Sequence, residues 1–281
     1  NGVGTLIYLF VAKGRIPAYL GSSFAFLSPV FAVMAAGLSY SAAQGGFIVF
    51  GLIFILVSQV VRFAGTGWID LIFPPAAMGA IVAIIGLELA PVATNMAGLT
   101  AGPAVLGMPL PTALIVSLST LAVTILASVL LRGFLAVIPV LLGVIAGYLV
   151  SLGLGVVDFQ AVRLAPWFQV PTLYAPTFNV QAILIILPAS LVVLAEHVGH
   201  LVVTGNIVGK DLMKEPGLHR SLLGDGLSNV LSGLVGATPN TTYGENIGVM
   251  AITKVYSVWV IGGTACIAIL VSFSGKLAAL I

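Results

Sequence analysis

Long apolar stretches separated by short polar connections run through most of this chain and restrict it to one class of protein. Hydrophobic residues make up 60% of the sequence and charged residues only 6%, whereas a soluble globular protein carries about 25% charged residues. Weakly polar stretches of about 20 residues fit the thickness of a bilayer as helices, and they lack the alternation of a membrane β-barrel. The sequence therefore predicts an all-α polytopic membrane protein with roughly eight to ten spans.

The charge and the cysteine content argue against several kinds of partner and site. The net charge of +2 is too small, and the basic residues are too scattered, to suggest nucleic-acid binding. The single cysteine, Cys266, permits neither an intrachain disulfide nor a metal site built from thiolates. We therefore expect no metal and no cofactor.

The basic residues are distributed unevenly between the two sides of the predicted membrane. If each apolar segment crosses once, only Arg163 and Lys276 lie on one side. The residues on the other side are Lys13, Arg15, Arg62, Arg132, Lys210, Lys214, Arg220 and Lys254. Because positively charged connections are retained in the cytoplasm, we predict that this larger group is cytoplasmic.

Two segments mix apolar residues with glycine, proline and small polar residues at membrane depth, namely residues 17–38 and 237–253. Irregular backbone at that depth is tolerated only where it faces protein or a watery cavity. Paired interrupted segments point to the binding site of an inverted-repeat transporter. In the predicted topology the two segments run in opposite directions, as such a repeat requires.

Glu196 lies in an apolar stretch, where a carboxylate is costly and usually marks a transport pathway. His200 follows four residues later and shares its helical face, so the pair can bind a proton or couple their charge to a ligand. The alternative is a structural hydrogen-bonded pair. His197 points elsewhere and is predicted to be structural.

Glu245 is the second acidic residue at predicted membrane depth, directly after Gly244. A half-helix that begins here would present free backbone N–H groups and a positive dipole end to a ligand; the alternative is a helix cap. Asn246 has the same two interpretations. Phe24 lies in the matching interrupted segment, where its ring could stack on a flat heterocycle.

The segment from Glu245 to Lys254, with Asn246, Gly248 and Thr253, resembles the signature of the nucleobase/ascorbate transporter family, also called nucleobase:cation symporter-2. Residues 21–26, 195–200 and 239–244 are similar to their counterparts in the bacterial uracil-transporting branch of that family. The similarity runs along essentially the whole chain.

The resemblance implies a fold of fourteen spans in two inverted repeats of seven, with two interrupted spans that each combine a short extended strand and a half-helix. This chain would cover about spans 2 to 11, so we expect it to be part of a longer protein. Residues 1–62 and 159–281 would form two parts of a core domain. Residues 63–158 would form the first part of a gate domain, whose remaining spans are absent.

The resemblance also implies the function of a secondary active transporter, not an enzyme, which imports uracil by proton symport across the bacterial inner membrane. His200 and Glu196 would couple the proton. The implied substrate-binding residues are Glu196, Glu245, Phe24, Gly244, Tyr243 and Asn246. Expected partners are uracil or a related nucleobase, protons, membrane lipid and a second copy of the chain in a homodimer.

Alternative functions stay open at this point. One alternative is a xanthine or other purine permease of the same family. Purine transporters more often carry Gln at the first signature position, so Glu245 resembles the uracil branch. An anion transporter of the same fold would need a positive binding site, which two acidic residues oppose. A membrane-embedded enzyme is disfavoured because the sequence has no His-Glu-x-x-His cluster and no nucleophile motif.

Overall fold

The computed structural model describes residues 1–72, 74–100 and 107–280. Within these ranges the chain is mostly helical, with one pair of short strands. The helices are α1 (Gly2–Val11), α2 (Leu27–Ala35), α3 (Tyr40–Ala64), α4 (Gly67–Ile72), α5 (Pro75–Met96), α6 (Leu110–Leu130), α7 (Pro139–Gly153), α8 (Gln160–Leu164), α9 (Val180–Val208), α10 (Leu218–Val235), α11 (Gly244–Thr253), α12 (Val258–Ser272) and α13 (Gly275–Leu280). The strands are β1 (Leu20–Ser22) and β2 (Asn240–Thr242).

Three helices in the described part of the chain, α3, α6 and α9, are long and apolar enough to cross a membrane. The longest, α9, has 29 residues, which at about 1.5 Å per residue exceeds the thickness of the hydrocarbon core. Shorter apolar helices, among them α1, α7 and α12, accompany them. The prediction of an all-α polytopic membrane protein is confirmed.

The chain forms two compact units. One contains Asn1–Ile85 and Pro166–Ala278, and the other is built mainly from Gly86–Ala165. The predicted division instead placed residues 63–158 in a gate domain, and the naming of core and gate stays a prediction. Residues 73 and 101–106, inside that predicted gate range, lie outside the described residues.

Aromatic residues on one face of α3 form the centre of the first unit. Phe47, Phe50 and Phe54 are fully buried, because spacings of three and four residues place them on the same side of the helix. The Phe26 ring packs edge-on against Phe50 at 4.8 Å, and Phe54 packs edge-on against the buried His197 of α9 at 6.0 Å. This cluster joins α3 to α9 and to the first interrupted segment.

The two strands pair antiparallel, with Leu20 opposite Thr242 and Ser22 opposite Asn240. We call this pair the strand ladder. The Ser23 N–H donates to the Pro239 carbonyl at 2.9 Å and extends the ladder at one end. Proline before each strand prevents a continuous helix, which explains locally why both segments are extended here.

A half-helix follows each strand of the ladder. After β1 come a short helical turn, Phe24–Phe26, and then α2; after β2 comes α11. Because the strands are antiparallel, the two half-helices leave the ladder at opposite ends and direct their N-termini back toward it. The predicted pair of interrupted spans, each a short strand plus a half-helix running in opposite directions, is confirmed.

In the second unit, α6 and α7 pack closely through small residues. A Cβ atom added to Gly143 would lie 1.9 Å from the Thr124 hydroxyl oxygen, and one added to Gly147 would lie 2.1 Å from that of Thr120. Both threonine hydroxyls donate to carbonyls of their own helix. Small residues of this kind let membrane helices approach closely.

Candidate functional site

Helix α9 places Glu196 and His200 side by side, as their spacing predicts. The His200 Nε2 and Glu196 Oε1 atoms lie 4.0 Å apart, and each side chain is about one-fifth exposed, at 21% and 20%. This separation suits an electrostatic contact but exceeds a direct hydrogen bond. The two side chains therefore lie in the same partly exposed region without a direct hydrogen bond between them.

His200 contacts the second interrupted segment directly. Its Nδ1 atom lies 3.1 Å from the Thr242 hydroxyl oxygen, within hydrogen-bond distance. A Cβ atom added to Gly244 would lie 3.0 Å from His200 Nε2, so glycine allows the backbone to approach the imidazole. His200 is thus in contact with the end of β2 and the beginning of α11.

Glu245 lies in the first turn of α11, where the N-terminal dipole favours a negative charge. Its side chain is exposed, and the residue before it, Gly244, lies against the His200 imidazole. Helix α11 also packs against α9. The structure therefore brings Glu196, His200, Gly244 and Glu245 together at one end of the strand ladder.

The other predicted site residues occupy different surroundings. Phe24 is 57% exposed, and its helical turn packs against α9. The Tyr243 ring lies over Gly21, where an added Cβ would be 1.9 Å from the ring, and its hydroxyl is 3.4 Å from that of Ser22. The Asn246 amide nitrogen is buried and has no hydrogen-bond partner among the described residues.

Another acidic residue, Asp225 in α10, lies close to the buried face of α9 and was not predicted from the sequence. Its Oδ2 atom lies 3.1 Å from His197 Nδ1, and both side chains are completely buried. His197 Nε2 is 2.8 Å from the Ser221 hydroxyl, which is 2.6 Å from the Tyr8 hydroxyl. Its signal in the sequence was an aspartate between two glycines in a helix of mostly apolar and small residues. A carboxylate in such surroundings is costly, and the same argument singled out Glu196 and Glu245.

The buried polar network continues from Asp225 to β2 through Asn229. The Asn229 amide donates to Asp225 Oδ1 at 3.2 Å and to the Asn240 carbonyl at 3.0 Å. The Asn240 amide in turn donates to the hydroxyls of Ser228 and Ser232 at 2.8 and 3.0 Å. Helix α10 therefore holds the first residue of β2 by side-chain hydrogen bonds.

The described residues contain no cluster of three or more His, Cys, Asp or Glu side chains that would hold a metal ion. The chemistry offered at the ladder is instead that of carboxylates, an imidazole, hydroxyls and free helix N–H groups. Groups of these kinds can exchange hydrogen bonds with a polar molecule, and the carboxylates and the imidazole can take up or release protons.

Comparison with known proteins identifies the family. The model of a permease family matches residues 1–281, the whole of this chain. The chain belongs to this permease family. A permease is a transporter, so the membership disfavours the enzyme alternative, and it confirms the family resemblance found in the sequence.

Several bacterial permeases resemble the chain over its full length. It is 64% identical to the uracil permease of Escherichia coli strain K12, of which it covers 65%. It is 60% identical to the uracil permease of Paenibacillus larvae, covering 67% of that protein. Identity to the putative pyrimidine permease RutG of Escherichia coli is 40%, with 64% of that protein covered.

The chain thus spans about 65% of the length of the Escherichia coli uracil permease. Within that span it has the apolar helices of a multi-pass protein. These helices and the bacterial permeases of the family confirm the prediction of a multi-pass integral protein of the bacterial plasma membrane.

Proposed function

We propose that the protein containing this chain is a secondary active transporter that imports uracil together with a proton. The main support is the location of Glu196, His200 and Glu245 beside the strand ladder, where the half-helix α11 begins. Ionisable groups in a membrane protein that surround interrupted helices are typical of a substrate and ion site. The uracil permeases among its relatives supply the substrate class.

Uracil has ring N–H donors and carbonyl acceptors on one flat ring. The carboxylates of Glu196 and Glu245 would accept hydrogen bonds from the ring N–H groups, while backbone N–H groups at Gly244 and at the beginning of α11 would donate to a carbonyl. The exposed ring of Phe24 would stack on the pyrimidine.

Asn246 and Tyr243 complete the proposed binding site in different ways. The buried amide of Asn246 has no partner among the described residues and would donate to the substrate. Tyr243 rests on Gly21 of the opposite strand, so it would contribute mainly by fixing the backbone that leads into Gly244.

Proton coupling would involve His200 and Glu196. The imidazole touches Thr242 and Gly244 and lies 4.0 Å from the Glu196 carboxylate, so its protonation would alter both the charge beside Glu196 and the packing against α11. Movement of a core domain, residues 1–62 and 159–281, against a gate domain containing residues 63–158 would expose this site alternately to the two sides. A homodimer is an expected assembly.

The test is uptake by the full-length protein in proteoliposomes. Labelled uracil should accumulate when the outside is acidic and stop accumulating when a protonophore abolishes the gradient. Glu245→Gln should weaken uracil binding by about tenfold to a hundredfold, because it removes a charged acceptor worth about 1.5–3 kcal/mol. The matched control is Glu215→Gln, since Glu215 pairs with Arg15 in an exposed connection away from the ladder.

Competition distinguishes this proposal from the purine alternative. Unlabelled uracil should suppress the uptake of labelled uracil, and xanthine should not. Inhibition by xanthine at lower concentrations than uracil would contradict the assignment to uracil. Uptake that ignores the pH gradient would contradict proton symport.

A further inference from the structure

The strand ladder has only three residue pairs, and its outer edges lie among helices of the first unit. An isolated pair of strands is marginally stable, and the unpaired backbone groups of an outer edge are costly in apolar surroundings. The first residue of each strand illustrates the problem. Leu20 and Asn240 are both almost completely buried, at 0% and 1% exposure.

A threonine of α1 completes the outer edge of β1. The Leu20 N–H donates to the Thr5 hydroxyl oxygen at 3.0 Å, and the Thr5 hydroxyl donates to the Leu20 carbonyl at 3.4 Å. Thr5 is itself completely buried. One hydroxyl therefore satisfies both outward-facing backbone groups of the first β1 residue, as a neighbouring strand would.

An asparagine of α10 does the same for β2. The Asn240 N–H donates to Asn229 Oδ1 at 2.6 Å, and the Asn229 amide donates to the Asn240 carbonyl at 3.0 Å. Asn229 is completely buried. In each half of the ladder, a side chain from the preceding helix thus replaces a third strand at the first strand residue.

We propose that Thr5 and Asn229 are positioning residues of the binding site. By completing the two outer edges, they set where β1 and β2 lie, and therefore where Phe24 and the beginning of α11 lie. A binding site must be held within about 0.5 Å of its working geometry by its supporting side chains. The part of this inference that concerns substrate affinity rests on the proposed function.

Substitutions at Thr5 test the proposal, using the purified full-length protein. Thr5→Val keeps the shape and removes the hydroxyl, whereas Thr5→Ser keeps the hydroxyl. Thr5→Val should weaken uracil binding about tenfold, as the loss of two hydrogen bonds at a buried edge implies, and Thr5→Ser should stay within about threefold of the original protein. The comparison of these two variants separates the loss of the hydrogen bonds from a change of side-chain shape.

The matched control is Ser58→Ala. The Ser58 hydroxyl is buried and donates to the His219 carbonyl at 2.6 Å, so this variant also loses a buried hydrogen bond, but between α3 and α10. It should leave uracil affinity unchanged. Equal loss of affinity in Ser58→Ala and Thr5→Val, or in Thr5→Ser and Thr5→Val, would overturn the positioning role.

Hydrogen–deuterium exchange without substrate provides a readout that does not depend on the ligand. Thr5→Val should accelerate exchange in residues 18–24, and Asn229→Leu should accelerate it in residues 238–244, each relative to the Ser58→Ala control. Unchanged exchange in both segments would overturn the proposal. If the original protein fails to bind uracil, the proposed function is wrong, and the exchange rates still decide the role of Thr5 and Asn229.

Discussion

At the scale of single residues, α9 separates ionisable side chains by the face on which they lie. Glu196 and His200, four residues apart, face the ladder and remain partly exposed, while His197 faces the interior and pairs with Asp225 in complete burial. Adjacent positions on a helix point about 100° apart, so Glu196 and His197 occupy different environments. Loss of either side chain would leave a buried polar group of the other without a partner, which is costly, and this ties His197 to α10.

The role of His200 is the prediction at this scale. His200→Gln keeps a side chain that can hydrogen-bond Thr242 but cannot take up a proton. We expect the dissociation constant for uracil to change less than about threefold, a smaller effect than the loss of a typical hydrogen bond. The reason is that Glu196 and Glu245 stay in place. Accumulation driven by a pH gradient should fall at least about tenfold, because His200 no longer titrates.

Both quantities are measured on the same full-length variant, with binding in detergent and uptake in proteoliposomes. His219→Gln is the matched control, because His219 lies in the first turn of α10, away from the ladder, and should leave uptake unchanged. Normal uptake that still follows the pH gradient in His200→Gln would exclude a coupling role. Equal losses of binding and uptake would make His200 a binding residue instead.

At the scale of helices, the contact between α3 and α10 depends on two glycines whose backbones touch. A Cβ atom added to Gly226 would lie 2.8 Å from the Gly51 carbonyl oxygen, and one added to Gly51 would lie 2.7 Å from the Gly226 carbonyl oxygen. Neither obstacle is a side chain that can rotate away. This crossing holds α10, with Asp225 and Asn229, against the aromatic face of α3.

Gly226→Ala should therefore destabilise the protein. Overpacking at a close contact costs about 1–3 kcal/mol, so the thermal unfolding midpoint in detergent should fall by several degrees. Gly263→Ala in α12 is the control, because an added Cβ there meets no atom within 4 Å; its midpoint should stay within a degree or rise. A Gly226→Ala midpoint equal to that of Gly263→Ala would show that the contact between α3 and α10 accommodates the added methyl group without loss of stability.

At the scale of the whole molecule, the orientation in the membrane follows from the distribution of charge. The connection after α9 contains Lys210 and Lys214, whereas the connection before it, residues 165–179, has exposed aromatic residues such as Trp167 and no charge. Retention of basic connections in the cytoplasm orients α9 with its C-terminus inward. The aromatic residues indicate that its N-terminal connection lies at a membrane interface, on either side.

Cysteine labelling tests this orientation. In a full-length variant without other cysteines, Thr172→Cys should react with a membrane-impermeant maleimide on intact cells. Lys214→Cys should react only after the cells are made permeable, although its side chain is 85% exposed. Reaction of Lys214→Cys on intact cells, with Thr172→Cys protected, would reverse the assigned topology.

The sequence by itself determined the features that depend on neighbouring residues. Apolar stretches specified the membrane helices, since bilayer thickness sets their length. Prolines and small polar residues marked the two interrupted segments, and the four-residue spacing of Glu196 and His200 placed them on one face. Each of these inferences needs only hydropathy or helical periodicity.

Only the tertiary structure decided which distant residues meet. Nothing local in the chain specifies that Leu20 pairs with Thr242, that His200 reaches Thr242, or that Asp225 pairs with His197. The roles of Thr5 and Asn229 at the strand edges are equally invisible, because threonine and asparagine are ordinary residues in a helix until a strand lies beside them. The choice of partner depends on the packing of whole helices, which brings segments far apart in the sequence to the same strand ladder.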